Sequence, residues 1–196
     1  MNLNSLRNRQ RGDHQMGASL IMVMMVLVIV SLLGVAGAQI ALMSERGARN
    51  DRDMQVAWQA AEAALIDAEF DLTNATATRI TLFDGKSKTG FEAGCGTSGT
   101  SVGLCAATST GKPAWLQVDF TNTSSGAATA AFGAFTGRTF TSGSLGVQPA
   151  QAPRYIIEAM ADPLDSTGKS IVYRVTAMGF GPRTDIQAVL QMIYRI

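Results

Sequence analysis

The sequence predicts an α+β chain: one long N-terminal helix, able to span a membrane over its first half, packs with its second half on a small antiparallel β-sheet. Three observations carry that reading. Residues 17–43, GASLIMVMMVLVIVSLLGVAGAQIALM, contain no Asp, Glu, Lys or Arg. An apolar stripe at threes and fours then continues without a proline to Leu72. The last third holds three strand-like runs separated by turn-rich segments. A helix carrying one apolar face and a sheet carrying another must bury them against each other.

The chain has 196 residues and a net charge of +1, enough for one modest domain beyond the apolar helix. Its hydrophobic fraction of 46% owes much to that helix. Arg7, Arg9 and Arg11 against Asp13 make the leader basic, and the remainder is slightly acidic. No basic surface for nucleic acid is visible, and direct nucleic-acid binding is not expected.

Residues 1–17 read as a leader peptide. In a secretory signal the small residue at the cleavage site follows the apolar run. Here Gly17 precedes it, so a cut between Gly17 and Ala18 leaves the apolar helix on the mature chain. The alternative is an uncut signal anchor. At about 1.5 Å per residue, segment 18–43 crosses a hydrocarbon core of roughly 30 Å. The arginines keep the leader in the cytoplasm and send residues 73–196 across the membrane. Gly34 and Gly37 form a weak point in the span, each costing about 1 kcal/mol against alanine in a helix, or else a packing face.

The amphipathic continuation covers 44–72. ERGARNDRD, Glu45 to Asp53, balances its charges as the helix leaves the bilayer. The stripe then runs through Met54, Ala57/Trp58, Ala61, Ala64/Leu65, Ala68 and Leu72, so Trp58, Ala61, Leu65, Ala68 and Leu72 are the expected contacts with the sheet. Glu62, Asp67, Glu69 and Asp71 fall largely off it and read as a solvated face.

Beyond Leu72 the composition turns to Gly, Thr, Ser and Ala. Residues 84–110 read as loop and hold Cys95 and Cys105. On an oxidising side of the membrane these two predict a disulfide, closing a short loop worth roughly 2–3 kcal/mol; the alternative is two free thiols. Trp115–Phe120, WLQVDF, alternates and predicts a first strand. Thr121–Ala152 reads as a long surface excursion with at most one short strand. Arg154–Met160, Ser170–Gly179 and Ile186–Ile196 complete a four-stranded antiparallel sheet, with reversals at 162–168 and 179–185.

Catalytic chemistry is not supported. His14 is the only histidine and lies in the leader, so the body offers no imidazole base, no triad and no zinc cluster. Asp162 and Asp165 lack the alternation and terminal glutamate of a calcium loop. No phosphate-binding glycine loop is present. No catalytic residue, metal or cofactor is expected, and the chain is not expected to be an enzyme.

A basic leader, a glycine cut before an apolar helix, its amphipathic continuation, a cysteine pair and a small sheet together resemble a type IV pilin. Within that superfamily the text is similar to the PilX-type minor pilins: Gly17-Ala18-Ser19-Leu20, the Glu45-Arg46 to Arg52-Asp53 segment, Gln59-Ala60-Ala61-Glu62-Ala63-Ala64-Leu65, then Arg154-Tyr155-Ile156-Ile157-Glu158 and Tyr173-Arg174-Val175-Thr176-Ala177 through Gly179-Phe180-Gly181. The resemblance spans roughly the first 72 and last 45 residues. It implies a pilin-like fold, cleavage at Gly17/Ala18 by a prepilin peptidase, and N-methylation of Ala18. A wait in the inner membrane and extraction into a fibre at the cell surface would follow. It also implies priming of assembly near the tip, with other minor pilins, the major pilin and a PilY-type adhesin as partners, in support of twitching motility, adhesion and, in some members, DNA uptake. The chain departs from the pilin pattern at Ala18, where phenylalanine is usual, and at Met22, the fifth mature residue, where glutamate is usual. Met22 is therefore the expected determinant of a tip position. The rival readings are a tip pseudopilin of type II secretion and an uncut bitopic protein with a periplasmic binding domain.

Overall fold

The computed structural model describes residues 18–108, 110–143 and 146–196. The expected leader and its Gly17 cut lie outside them. The chain divides into two units within its single long helix, at Ala48/Arg49. That helix, α1, runs Ala18–Thr73. In the first unit every side chain from Ser19 to Ala48 is exposed. Gly34 and Gly37 do not interrupt the helix, and a Cβ added at either would meet no neighbouring element within 4 Å.

The second unit is built on β3 (Arg154–Ala161), β4 (Ile171–Phe180) and β5 (Gln187–Tyr194), paired antiparallel in that order. Their positions and their reversals agree with the sequence. In the first reversal, Asp165 accepts the N–H groups of Thr167, Lys169 and Ser170, and Gly168 takes a positive φ of 66°. In the second, Gly181 and Ile186 close the turn through N–H to C=O bonds.

Two corrections concern the outer edge of β3. The sheet has five strands and is mixed: β1 (Leu104–Ala106) lies parallel to β3, with Cys105 opposite Glu158, and β2 (Ala130–Ala131) pairs antiparallel farther along the same strand. Residues 115–120 are not a strand. Ala114–Leu116 form a 3₁₀ turn entered through Pro113, and the Glu158 carboxylate accepts the Ala114 N–H at 3.1 Å. Asp119 caps the following turn at Thr121. The alternation that suggested a strand has another origin: Phe120 is buried and Trp115 and Val118 are partly so, around Cys95, Cys105 and Ile156 on the sheet face away from α1.

On the other face, Ala57, Ala60, Ala61, Ala64, Ala68 and Leu72 of α1 are buried against the sheet. Alanine lets the two backbones approach closely, and Gly179 completes the fit: a Cβ there would stand 2.1 Å from the Ala57 carbonyl oxygen. Nearer the helix end, Phe83, Phe91 and Tyr173 pack together, Phe91 stacked on Tyr173 at 5.8 Å. The Tyr173 hydroxyl accepts the Gly85 N–H at 3.0 Å. Residues 121–152 are more than a surface excursion, because β2 joins them to the sheet and Arg154 holds Thr129 through its hydroxyl and carbonyl oxygens.

Candidate functional site

Over residues 19–43 the first unit presents an exposed helix surface without a charged side chain. Met22 is 72% exposed, among Leu20, Ile21, Val23 and Met24, all more than half exposed. The backbone polar groups are satisfied within the helix, and Ser31 returns its hydroxyl to the Leu27 carbonyl at 2.6 Å. A helix with its amides satisfied and its side chains apolar all round suits lipid or a bundle of like helices. Of the described helices it alone has the length and composition to cross a membrane.

The second unit fixes α1 through buried charge, which corrects the solvated-face expectation. Glu62 and Glu69 are exposed, but Asp67 and Asp71 are completely buried. The Arg79 guanidinium donates to Asp71 Oδ2 at 2.5 Å from Nη2 and 2.9 Å from Nε, to Asp71 Oδ1 at 3.1 Å from Nε, and to the Thr100 and Val102 carbonyls. The Tyr155 hydroxyl donates to Asp71 at 2.9 Å. Burial, reinforced by the Asp71 charge, pushes the Tyr155 phenol well above its ordinary value, so it stays a donor. Asp67 accepts the Gly133 N–H at 2.7 Å and the Thr136 hydroxyl at 2.6 Å. One helix turn thus ties together the 74–79 connection, the 100–102 turn, β3 and the 133–136 loop. Arg79 also lies 3.5 Å above the Phe135 ring.

A third buried carboxylate, Glu158, receives Arg174 at 2.8 and 2.9 Å on the opposite face, beside the Cys95–Cys105 disulfide. The disulfide joins the 92–96 turn to β1. The buried carboxylates are thus spent on neutralising partners, which suits them to holding structure and leaves no free base. No cluster of His, Cys, Asp and Glu among the described residues could hold a metal.

The expected sheet contacts divide. Ala61, Ala68 and Leu72 are buried and Leu65 is partly buried. Trp58 is not a packing residue: it is 49% exposed and its indole N–H donates to Glu62 at 2.8 Å. At about 100° per residue, Ala57, Ala60, Ala64, Asp67, Ala68 and Asp71 fall within one arc centred near Ala64, and Trp58 falls outside it. That spacing could have placed both aspartates on the buried face.

An apolar exposed helix continuing into one sunk on a small disulfide-linked sheet defines a pilin-like subunit. A family model described as PilX N-terminal matches residues 17–65, and one described as type IV pilus assembly protein PilX C-term matches residues 101–196. The chain belongs to the PilX family of type IV pilus assembly proteins and is a minor pilin of that type. No curated protein and no solved structure matches it.

Proposed function

We propose that this minor pilin primes assembly of the type IV pilus and sits at or near the fibre tip. Prepilin peptidase removes residues 1–17 by cutting between Gly17 and Ala18, and Ala18 is N-methylated. The mature chain waits in the inner membrane through segment 18–43, with the 44–72 continuation and the 73–196 body on the periplasmic side, and is then drawn into the fibre. Its partners are other minor pilins, the major pilin and a PilY-type adhesin, and its assembly supports twitching, adhesion and DNA uptake. The family match favours the pilus over type II secretion and over a sensor.

The observation that carries the tip position is Met22, apolar and exposed in a helix with no acidic residue before Glu45. A carboxylate in apolar surroundings costs a few kcal/mol and is tolerated when paired. At the fifth mature position such a group can meet the amino terminus of a subunit already above. The first subunit has none above it, and Met22 removes the cost. Ala18 still offers its amine to the next subunit's carboxylate.

The test is to tag the body, shear the pili and image the tag by gold labelling. Signal at one end supports the reading, and signal spread along the shaft overturns it. The mass of the membrane-extracted chain tests the cut: a mature chain starting at methylated Ala18 is expected, and an intact residue 1 would restore the signal-anchor reading.

A further inference from the structure

The sheet ends at β5 with its outer edge bare. Gln187–Tyr194 pairs with β4 along one side, and no backbone group of these eight residues bonds to a described residue on the other. Alternate residues of such a strand turn their N–H and C=O groups away from the partner. Natural sheets guard open edges with lysine, proline, a bulge or a short strand, because a bare edge templates further pairing. None of these devices is present here. IQAVLQMIY, residues 186–194, has no charge and no proline, and its register with β4 is unbroken over eight pairs. The opposite edge of the sheet is formed by strands of only three and two residues.

The strand is also faced mostly with apolar side chains. Ala188 is buried, and Leu190, Met192 and Tyr194 pack toward the α1 side of the sheet. On the other face Val189 is 43% and Ile193 67% exposed, while Gln191 between them is tied to the Thr176 hydroxyl at 2.9 Å. We infer that the free edge of β5 accepts an extended strand of a different polypeptide, one with uncharged, apolar side chains at alternate positions beside Val189 and Ile193. Main-chain bonds to the edge supply affinity, and the alternate side chains supply selectivity.

The chain itself offers no good occupant. Residues 1–17, MNLNSLRNRQRGDHQMG, are polar and basic and lack an apolar alternation. A second copy pairing β5 antiparallel with β5 would be related by a two-fold axis through the sheet, an isologous contact that closes into a dimer and does not extend a fibre. Its other edge, β1, spans three residues. The inference goes beyond the tip reading, since a subunit within the shaft would present the same edge.

The experiment places a photo-crosslinking amino acid singly at positions 188–194 of the full-length chain in cells that make pili, and sequences the crosslinked peptides. Crosslinks from 189, 191 and 193 to one foreign polypeptide are expected, the contact point moving two residues for every two of the probe. V189K/I193K should lower the yield about tenfold, the effect of roughly 1.4 kcal/mol of lost pairing. That variant is read only after it shows an intact Cys95–Cys105 disulfide and an unchanged near-ultraviolet circular dichroism spectrum. Crosslinks to a second copy, foreign crosslinks without the two-residue stepping, or no crosslink from the unmodified background would each overturn the proposal.

Discussion

Asp71 and Arg79 show how one residue pair can hold a helix end. Both side chains are fully buried, so each removes the uncompensated charge of the other. Arg79→Met leaves the carboxylate with only the Tyr155 hydroxyl, and should destabilise the full chain by about 3–5 kcal/mol in urea denaturation in detergent. Asp165 is a contrasting case at the surface, only partly covered. Its carboxyl is held well below the ordinary value of 3.8 by the Thr167 hydroxyl and N–H and the Ser170 N–H. A carboxylate whose pKa falls on folding stabilises the folded state above its unfolded value, about 3.9, and loses that contribution as pH falls toward its folded value. Asp165→Ala should therefore flatten the decline of stability below about pH 4, measured by urea titration from pH 5 downward. These roles were only partly legible in the sequence. The Asp162–Gly168 segment announces a turn, and helical spacing puts Asp67 and Asp71 on the alanine-lined face, but the partners that make their burial tolerable, Arg79 and Tyr155 for Asp71 and the 133–136 loop for Asp67, come from elsewhere in the chain.

At the scale of elements, what could be read depended on length and on how local the pairing is. The helix shows its period over several turns and the strands β3, β4 and β5 each run for eight or more residues, and the turns between the strands carry their own chemistry. β1 and β2 have no room for a period; β1 is defined by its parallel match to β3, some fifty residues away in sequence, and by the cystine beside it. The Trp115–Phe120 alternation came from side chains of a turn folding inward over the same sheet face. The helix–sheet fit was visible as alanines on one side, but its counterpart, Gly179, gave no sign beyond being a glycine in a strand. Gly179→Ala would drive a methyl into the Ala57 carbonyl and the Ala61 amide, at 2.1 and 2.2 Å. Relief requires backbone movement, so a loss of about 1–3 kcal/mol is expected. Gly126→Ala, which meets nothing within 4 Å, should be nearly neutral. Thermal unfolding of the two variants side by side measures the difference.

For the molecule as a whole, the fold of the body and the proposed role of Met22 can be tested separately, because they concern different units. Buried alanines, paired carboxylates and the disulfide hold residues 49–196, whereas Met22 belongs to the exposed apolar helix of residues 18–48. A single substitution can therefore alter assembly while the body reports on its own integrity. Met22→Glu restores an acidic group at the fifth mature position. In the membrane or the fibre that group is costly when alone and tolerated when it meets a positive amino terminus, so the variant gains a reason to enter beneath another subunit. With the disulfide still formed, gold label on the tagged variant should move from one end of sheared pili to positions along the shaft. Label that stays at the end would show that placement is governed by the body and its partners, and that the methionine is only an apolar residue suited to lipid.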